Sequence, residues 1–140
     1  PEGRFPVVLI SNEEGSHERS RKWGEVIERE IERIGRRAVF IASGTLSHHF
    51  VFDSPDALWP DGEVWARKLL DTVTKGCPED IFSYTDTEIA GGELEAGGLH
   101  GLYMLLGALG PKPSTKVLSY EGIVGVGSPI IEFERKILVS

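Results

Sequence analysis

Two of the chain's four histidines, His48 and His49, follow Ser43-Gly44-Thr45-Leu46-Ser47, directly after the apolar run Ala38-Val39-Phe40-Ile41-Ala42. An apolar run bounded by turn residues predicts a buried strand. A strand that ends in Ser-Gly and then presents a histidine places an imidazole at the carboxyl edge of a sheet, where open α/β sheets bind ligands. An imidazole titrates near neutrality and can act as base, acid or metal ligand. The alternative for His48 is a structural histidine, hydrogen-bonded in the strand-to-loop turn. In extended backbone the rings of His48 and His49 point to opposite sides, so one metal held by both is not expected. His49 therefore reads as a solvent-facing or packing residue, with the wall of a substrate pocket as its other option.

Glu95 opens an otherwise apolar stretch and is followed by Ala96, Gly97 and Gly98. A carboxylate at a helix N-terminus is stabilised by the free N–H groups and the dipole there, which is also what an ordinary capping residue does. The small residues after it would let a ligand approach closely. His100, five residues on, reads as a satisfied core histidine or a pocket residue. His17 begins a charged helix and reads as solvated. Tyr120 and Glu121 precede Gly122 and could line a pocket edge, although tyrosine in a strand is usually packing. His49, His100 and Tyr120 are thus the candidates for facing a substrate. Gly125-Val126-Gly127 lacks a following helix pattern and is not a phosphate loop; the chain has no Walker sequence, nucleophile elbow or CxxC pair.

These residues need elements to position them. Phe5 to Ser11 predicts a first buried strand, Asn12-Glu13-Glu14-Gly15 a turn, and Ser16 a helix cap. Trp23, Val26, Ile27, Ile31 and Ile34 recur at helical spacing among charges up to Gly35, which predicts an amphipathic helix. With the strand at 38–42 this makes a βαβ unit, so the two strands should be parallel. Phe50 to Gly62 reads as loop. Val64, Trp65, Leu69 and Val73 mark a second helix ending near Gly76. Pro78 to Ala90 is ambiguous, with room for a short helix around 79–82. Glu95 to Leu109 predicts a buried helix whose glycines signal close packing. Val117 to Glu121 reads as a strand, and Ile130 to Val139 begins like an edge strand. The expected fold is one α/β domain over 1–140: a mostly parallel central sheet flanked by helices, with a mixed or antiparallel C-terminal part.

Composition narrows the partners. The 140 residues carry a formal net charge of −7, which argues against nucleic acid and anionic membranes. Arg19, Arg21 and Lys22, and Arg33, Arg36 and Arg37, are interleaved with Glu25, Glu28, Glu30 and Glu32, as on a solvated helix face. Cys77 is the only cysteine, so no disulfide forms within the chain, and a reducing, cytoplasmic setting is expected. No apolar stretch approaches the ~18 residues that span a bilayer. The start, Pro-Glu-Gly-Arg, has neither Met nor a signal-peptide layout and reads as a cut or processed end of something longer.

Three segments together resemble the LigB-type catalytic subunits of the class III extradiol ring-cleaving dioxygenases. Ile41 to His48 looks like that family's strand ending in Ser-His. Glu95-Ala96-Gly97-Gly98 through Gly107-Ala108-Leu109 is similar to its glutamate-led helix, and Tyr120-Glu121-Gly122 through Gly125-Val126-Gly127 to Ile131-Glu132-Phe133 is similar to its C-terminal stretch. The resemblance implies a mononuclear non-haem Fe(II) held by two histidines and a carboxylate, and cleavage of a catechol- or aminophenol-type ring with O2. Glu95 would be the carboxylate ligand and His48 the acid/base residue beside the metal. The family's two iron-binding histidines lie ahead of the matched region, and His17, His49 and His100 do not correspond to them. The chain thus looks like the C-terminal half of such an enzyme, inactive until an N-terminal half or another subunit completes it. A half-sheet of this kind exposes apolar surface and favours an oligomer. The other readings are a non-catalytic LigB-like partner or scaffold subunit, and a zinc-dependent hydrolase-like α/β protein using His48, His100 and Glu95.

Overall fold

The structure is a computed structural model that describes residues 5–11, 15–48, 60–75, 77–92, 98–123 and 126–135. Helix α1 spans His17–Ile34, and its ends follow from local chemistry. Ser16 is extended, and its hydroxyl accepts from the Arg19 N–H at 3.3 Å, satisfying one of the donors a helix start leaves open. At the other end Gly35 adopts φ 64°, its N–H donating to the Glu32 carbonyl and that of Arg36 to Ile31. This is the left-handed cap that glycine tolerates best. Both boundaries agree with the sequence expectation.

The buried face of α1 takes in only part of the expected stripe: Val26, Ile27 and Ile31 are half-buried. Trp23 is 50% exposed and Ile34 53%, whereas Ser20 and Gly24 are buried. The partner is helix α4 (Gly98–Leu109), which lies along that face. A Cβ on Gly24 would stand 2.0 Å from the Met104 carbonyl oxygen, and one on Gly107 would stand 2.2 Å from that of Arg21. The two helices touch backbone to backbone. Small residues permit that approach, so Gly24 and Gly107 set how close the two helices come. The glycines of the α4 segment signal close packing, as expected.

Helix α2 (Pro60–Lys75) starts two residues before the expected end of the loop at Gly62, with proline in its first turn, where the missing N–H costs nothing. It carries Trp65, Ala66, Leu69 and Val73 into the core. A 3-10 turn (Pro78–Ser83) and helix α3 (Asp86–Gly92) occupy the ambiguous stretch and add Ile81 and Ile89. Leu99, Leu102, Tyr103 and Leu106 of α4 complete the same core. The Tyr103 hydroxyl donates to the Ile81 carbonyl, so the phenol is buried with its polar end satisfied.

The sheet has three strands in the order β1-β3-β2, all antiparallel. Strand β1 is Ser47–His48, β2 is Ser114–Ile123 and β3 is Val126–Glu134. The β2–β3 hairpin confirms the antiparallel C-terminal part, with an irregularity between Val117 and Ser119. At its far end Arg135 reaches back to Glu28 and Glu32 of α1, at 2.6 and 3.1 Å.

The expected parallel sheet is not formed among the described residues. The runs at 5–11 and 38–42 carry no ladder, and they lie open to solvent: Leu9 is 92% exposed and Val39 is 88%. A parallel strand is stable only with neighbours beside it and cover on both faces. The described residues supply neither to these runs.

Candidate functional site

His48 stands on the outer strand of the antiparallel sheet, not at the carboxyl ends of parallel strands as expected, because the run at 38–42 forms no ladder. Ser47 pairs with Gly127 and His48 with Val126. The Leu46 N–H donates to the Gly127 carbonyl at 2.8 Å, and the Gly127 N–H donates to the Ser47 hydroxyl at 3.1 Å. Ser47 is 1% exposed. Beside its ladder pairing, the strand carrying His48 is thus held to β3 by a main-chain bond and a side-chain bond that both meet Gly127. Thr45, two residues earlier, has its hydroxyl buried with no hydrogen-bond partner among the described residues, as does the Trp65 indole N–H.

Gly127 is a junction. A Cβ there would meet the Ala66 Cβ at 2.8 Å, the Ser47 Oγ at 3.0 Å and the Tyr120 Oη at 3.1 Å. Tyr120, a candidate from its position after a strand core, is therefore brought beside β1. Its hydroxyl donates to Glu63 Oε2 at 2.7 Å, and Arg67 Nε meets Glu63 Oε1 at 2.6 Å. The Arg67 guanidinium also lies 5.3 Å from the centre of the Tyr120 ring. Burial, followed by the hydrogen bond to Glu63 and its negative charge, pushes the Tyr120 phenol up to about 12, against the opposing charge of Arg67. Glu63 and Arg67 stand four apart on α2, a spacing that in sequence reads as a surface pair. Nothing in sequence tied that pair to Tyr120, which is 57 positions away.

His100 belongs to a different group. Its Nδ1 shares a hydrogen bond with the Ser20 hydroxyl at 2.9 Å, and its ring stacks on His17, with centroids 4.2 Å apart and planes within 5°. His17 also leans on Tyr103 at 4.9 Å. The expectation of a solvated His17 is thus corrected. It is half-buried, because α1 and α4 run close enough to bring their first turns together. Strand β1 packs on α2 and β3, whereas α4 packs on α1 and the 3-10 turn. The structure groups Tyr120 with the strand of His48, and His100 with His17. Glu95 and His49 lie outside the described residues.

A third polar group surrounds Glu79. Partial burial raises its carboxyl, but hydrogen bonds from the Cys77 thiol and the Lys112 N–H outweigh this and hold it below the usual range. The same hydrogen bond to Glu79, ahead of desolvation and nearby negative charge, pushes the Cys77 thiol up. A thiol kept protonated is a poor nucleophile.

Among the described residues no three His, Cys, Asp or Glu side chains are arranged to hold a metal ion. They do not by themselves fit the Fe(II) that the resemblance implies. No helix among them is long and apolar enough to cross a membrane.

Comparison with known proteins bears on these groups. The family model for the catalytic LigB subunit of aromatic ring-opening dioxygenase matches residues 2–130. The chain is also 37% identical over 115 residues to a Clostridium acetobutylicum protein whose name states no activity. That alignment covers 81% of this chain and 24% of the relative, so the chain spans about a quarter of that protein's length.

Proposed function

The chain belongs to the family of catalytic LigB subunits of aromatic ring-opening dioxygenases, and from that membership we propose that it is the C-terminal portion of an extradiol enzyme cleaving a catechol- or aminophenol-type ring with O2. The observation that supports this most is the placement of His48: the strand that bears it is fixed against β3, as an acid/base group at a sheet edge must be. In this reading His48 accepts a proton from a hydroxyl of the aromatic substrate and returns it later in the reaction. Glu95 is the one metal ligand the chain contributes. A single carboxylate does not hold Fe(II), so the two imidazoles come from outside these 140 residues, from an N-terminal portion or another subunit. The exposed runs 5–11 and 38–42 are, in the same reading, strands of a central parallel sheet that this other portion completes, and the assembled protein is an oligomer acting in the cytoplasm. His49, His100 and Tyr120 remain proposed contributors to the substrate's surroundings.

The test is metal content and ring-cleavage absorbance on the gene's complete product, beside the 140-residue chain. Iron and activity in the complete product alone support the proposal, and His48→Ala is then expected to slow turnover while iron is retained. Iron absent from both, with no ring cleavage, refutes it and leaves a non-catalytic partner subunit. Zinc in the short chain alone would favour a hydrolase-like protein.

A further inference from the structure

The candidate acid/base residue stands on a strand of only two residues. So short a strand has few ladder bonds of its own, and a functional side chain keeps its geometry only when a supporting layer holds it. That layer can be traced. Ser47 and Tyr120 both place an oxygen within about 3 Å of the point where a Gly127 Cβ would be, and Ala66 of α2 closes the third side. The Gly127–Ser47 rung next to His48 is thus boxed in, and the phenol of Tyr120 is one wall. That wall is itself anchored: Tyr120 donates to Glu63, and Glu63 is held by Arg67, one turn further along α2. A phenol donating to a carboxylate is a charge-assisted bond, shorter and stronger than a neutral one. Helix α2 is in turn rooted in the core through Trp65, Ala66, Leu69 and Val73.

We infer that Tyr120 and Glu63 are positioning residues for His48, acting through Gly127 and Ser47. The inference rests on His48 being the acid/base group. For Tyr120 it replaces the place in the substrate's surroundings proposed above, since its hydroxyl is engaged by Glu63. It brings in Glu63, which no motif singles out.

The experiment uses the complete gene product, with catechol as probe, and compares wild type with Tyr120→Phe, Glu63→Gln and Tyr84→Phe. The last is a control that removes another phenol bonded to α2, the one facing Thr72. Two readouts are taken: kcat and KM with iron content, and hydrogen exchange of the peptides carrying the Leu46 and Gly127 amides. The expected result for Tyr120→Phe and Glu63→Gln is a kcat about tenfold lower, short of the roughly hundredfold that a full 1 Å misplacement can cost. KM and iron should be unchanged and exchange faster at both peptides, while Tyr84→Phe changes neither readout. Unchanged exchange in Tyr120→Phe overturns the inference even if kcat falls, because Tyr120 then acts on substrate directly. Faster exchange with unchanged kcat overturns it as well. A wild-type protein without iron or ring cleavage refutes the dioxygenase reading instead, and the exchange comparison alone then decides whether the clamp on β1 exists.

Discussion

Replacing Gly24 by alanine should destabilise the protein, although the general rule for helices points the other way. In a helix interior, Gly→Ala gains about 1 kcal/mol through backbone entropy and helix propensity. Gly24 lies in the middle of α1, but an added Cβ would stand 2.0 Å from the Met104 carbonyl oxygen and 2.7 Å from the Ala108 nitrogen. Real Cβ atoms essentially never approach closer than 3.0 Å, so α4 would have to retreat by about 1 Å, from 2.0 to 3.0 Å, for the first contact alone. Both obstacles are backbone, and no rotamer change relieves them. The retreat would loosen Leu99, Leu102, Tyr103 and Leu106, which anchor α4 in the core. Overpacking ordinarily costs ~1–3 kcal/mol, and a backbone obstacle belongs at the upper end, so a net loss of about 2 kcal/mol remains after the propensity gain. Urea unfolding followed by circular dichroism and by the fluorescence of the neighbouring Trp23 measures it. Gly107→Ala, whose Cβ would meet the Arg21 carbonyl oxygen at 2.2 Å, should behave alike, and the double variant should cost less than the sum, because one retreat of α4 relieves both. Gly15→Ala, with nothing nearer than 3.6 Å, should stay within about 0.5 kcal/mol of wild type. A Gly24→Ala protein as stable as wild type would refute the backbone contact between α1 and α4.

Three further outcomes follow from single contacts. Ser16→Ala removes the hydroxyl that accepts from Arg19 N and should cost about 1 kcal/mol in the same unfolding assay. In an ultraviolet titration Tyr120 should ionise late, near pH 12, and Tyr120→Phe should remove one phenol from the signal that develops there. The folded state keeps this proton where the unfolded chain, with its ordinary value of 10.0, releases it. The stabilisation is therefore full below pH 10 and lost between about 10 and about 12. Glu79→Gln removes the charge that keeps the Cys77 thiol protonated, so iodoacetamide should alkylate Cys77 faster in that variant at pH 8; an unchanged rate would show that the Glu79 contact does not control the thiol.

What sequence revealed and what it hid divide along the range of the interactions. The cap at Ser16, the left-handed stop at Gly35 and the tight packing of the glycines in α4 are set by residues a turn apart or by one residue's backbone freedom, so composition and spacing report them. The buried face of α1 was legible only in part, with Val26, Ile27 and Ile31 half-buried but Trp23 and Ile34 exposed, because periodicity weighs side chains by their hydrophobicity. Close helix contact selects for their absence, and Gly24 contributes more to this interface than Trp23 does. The pairing of His17 with His100 was invisible for the same reason: it depends on how near two helix starts come, 83 positions apart in the chain.

The candidate site shows the same division more sharply. The apolar run 38–42 leads to the expectation of His48 at the carboxyl ends of parallel strands, but that run forms no ladder, and His48 stands on a two-residue outer strand of an antiparallel sheet instead. That Ser47 is the residue fixing it could not be read, since the fixing partner is Gly127, 80 positions on. Glu63 and Arg67 look like any exposed pair one turn apart until β2 brings Tyr120 against them. The runs at 5–11 and 38–42 carry the same lesson from the opposite side. Their residues favour the extended state, and that much is local. A strand, however, is a relation between two segments, and strand propensity says nothing about where the second segment lies. Leu9 and Val39 stand in water because no described residue pairs with them. Burying even half of such side chains against added strands would contribute about 1 kcal/mol each. Protection of their amides from exchange in the complete product, and not in the 140-residue chain, is the expected outcome. Equal exposure in both would mean that these runs are not strands of a shared sheet.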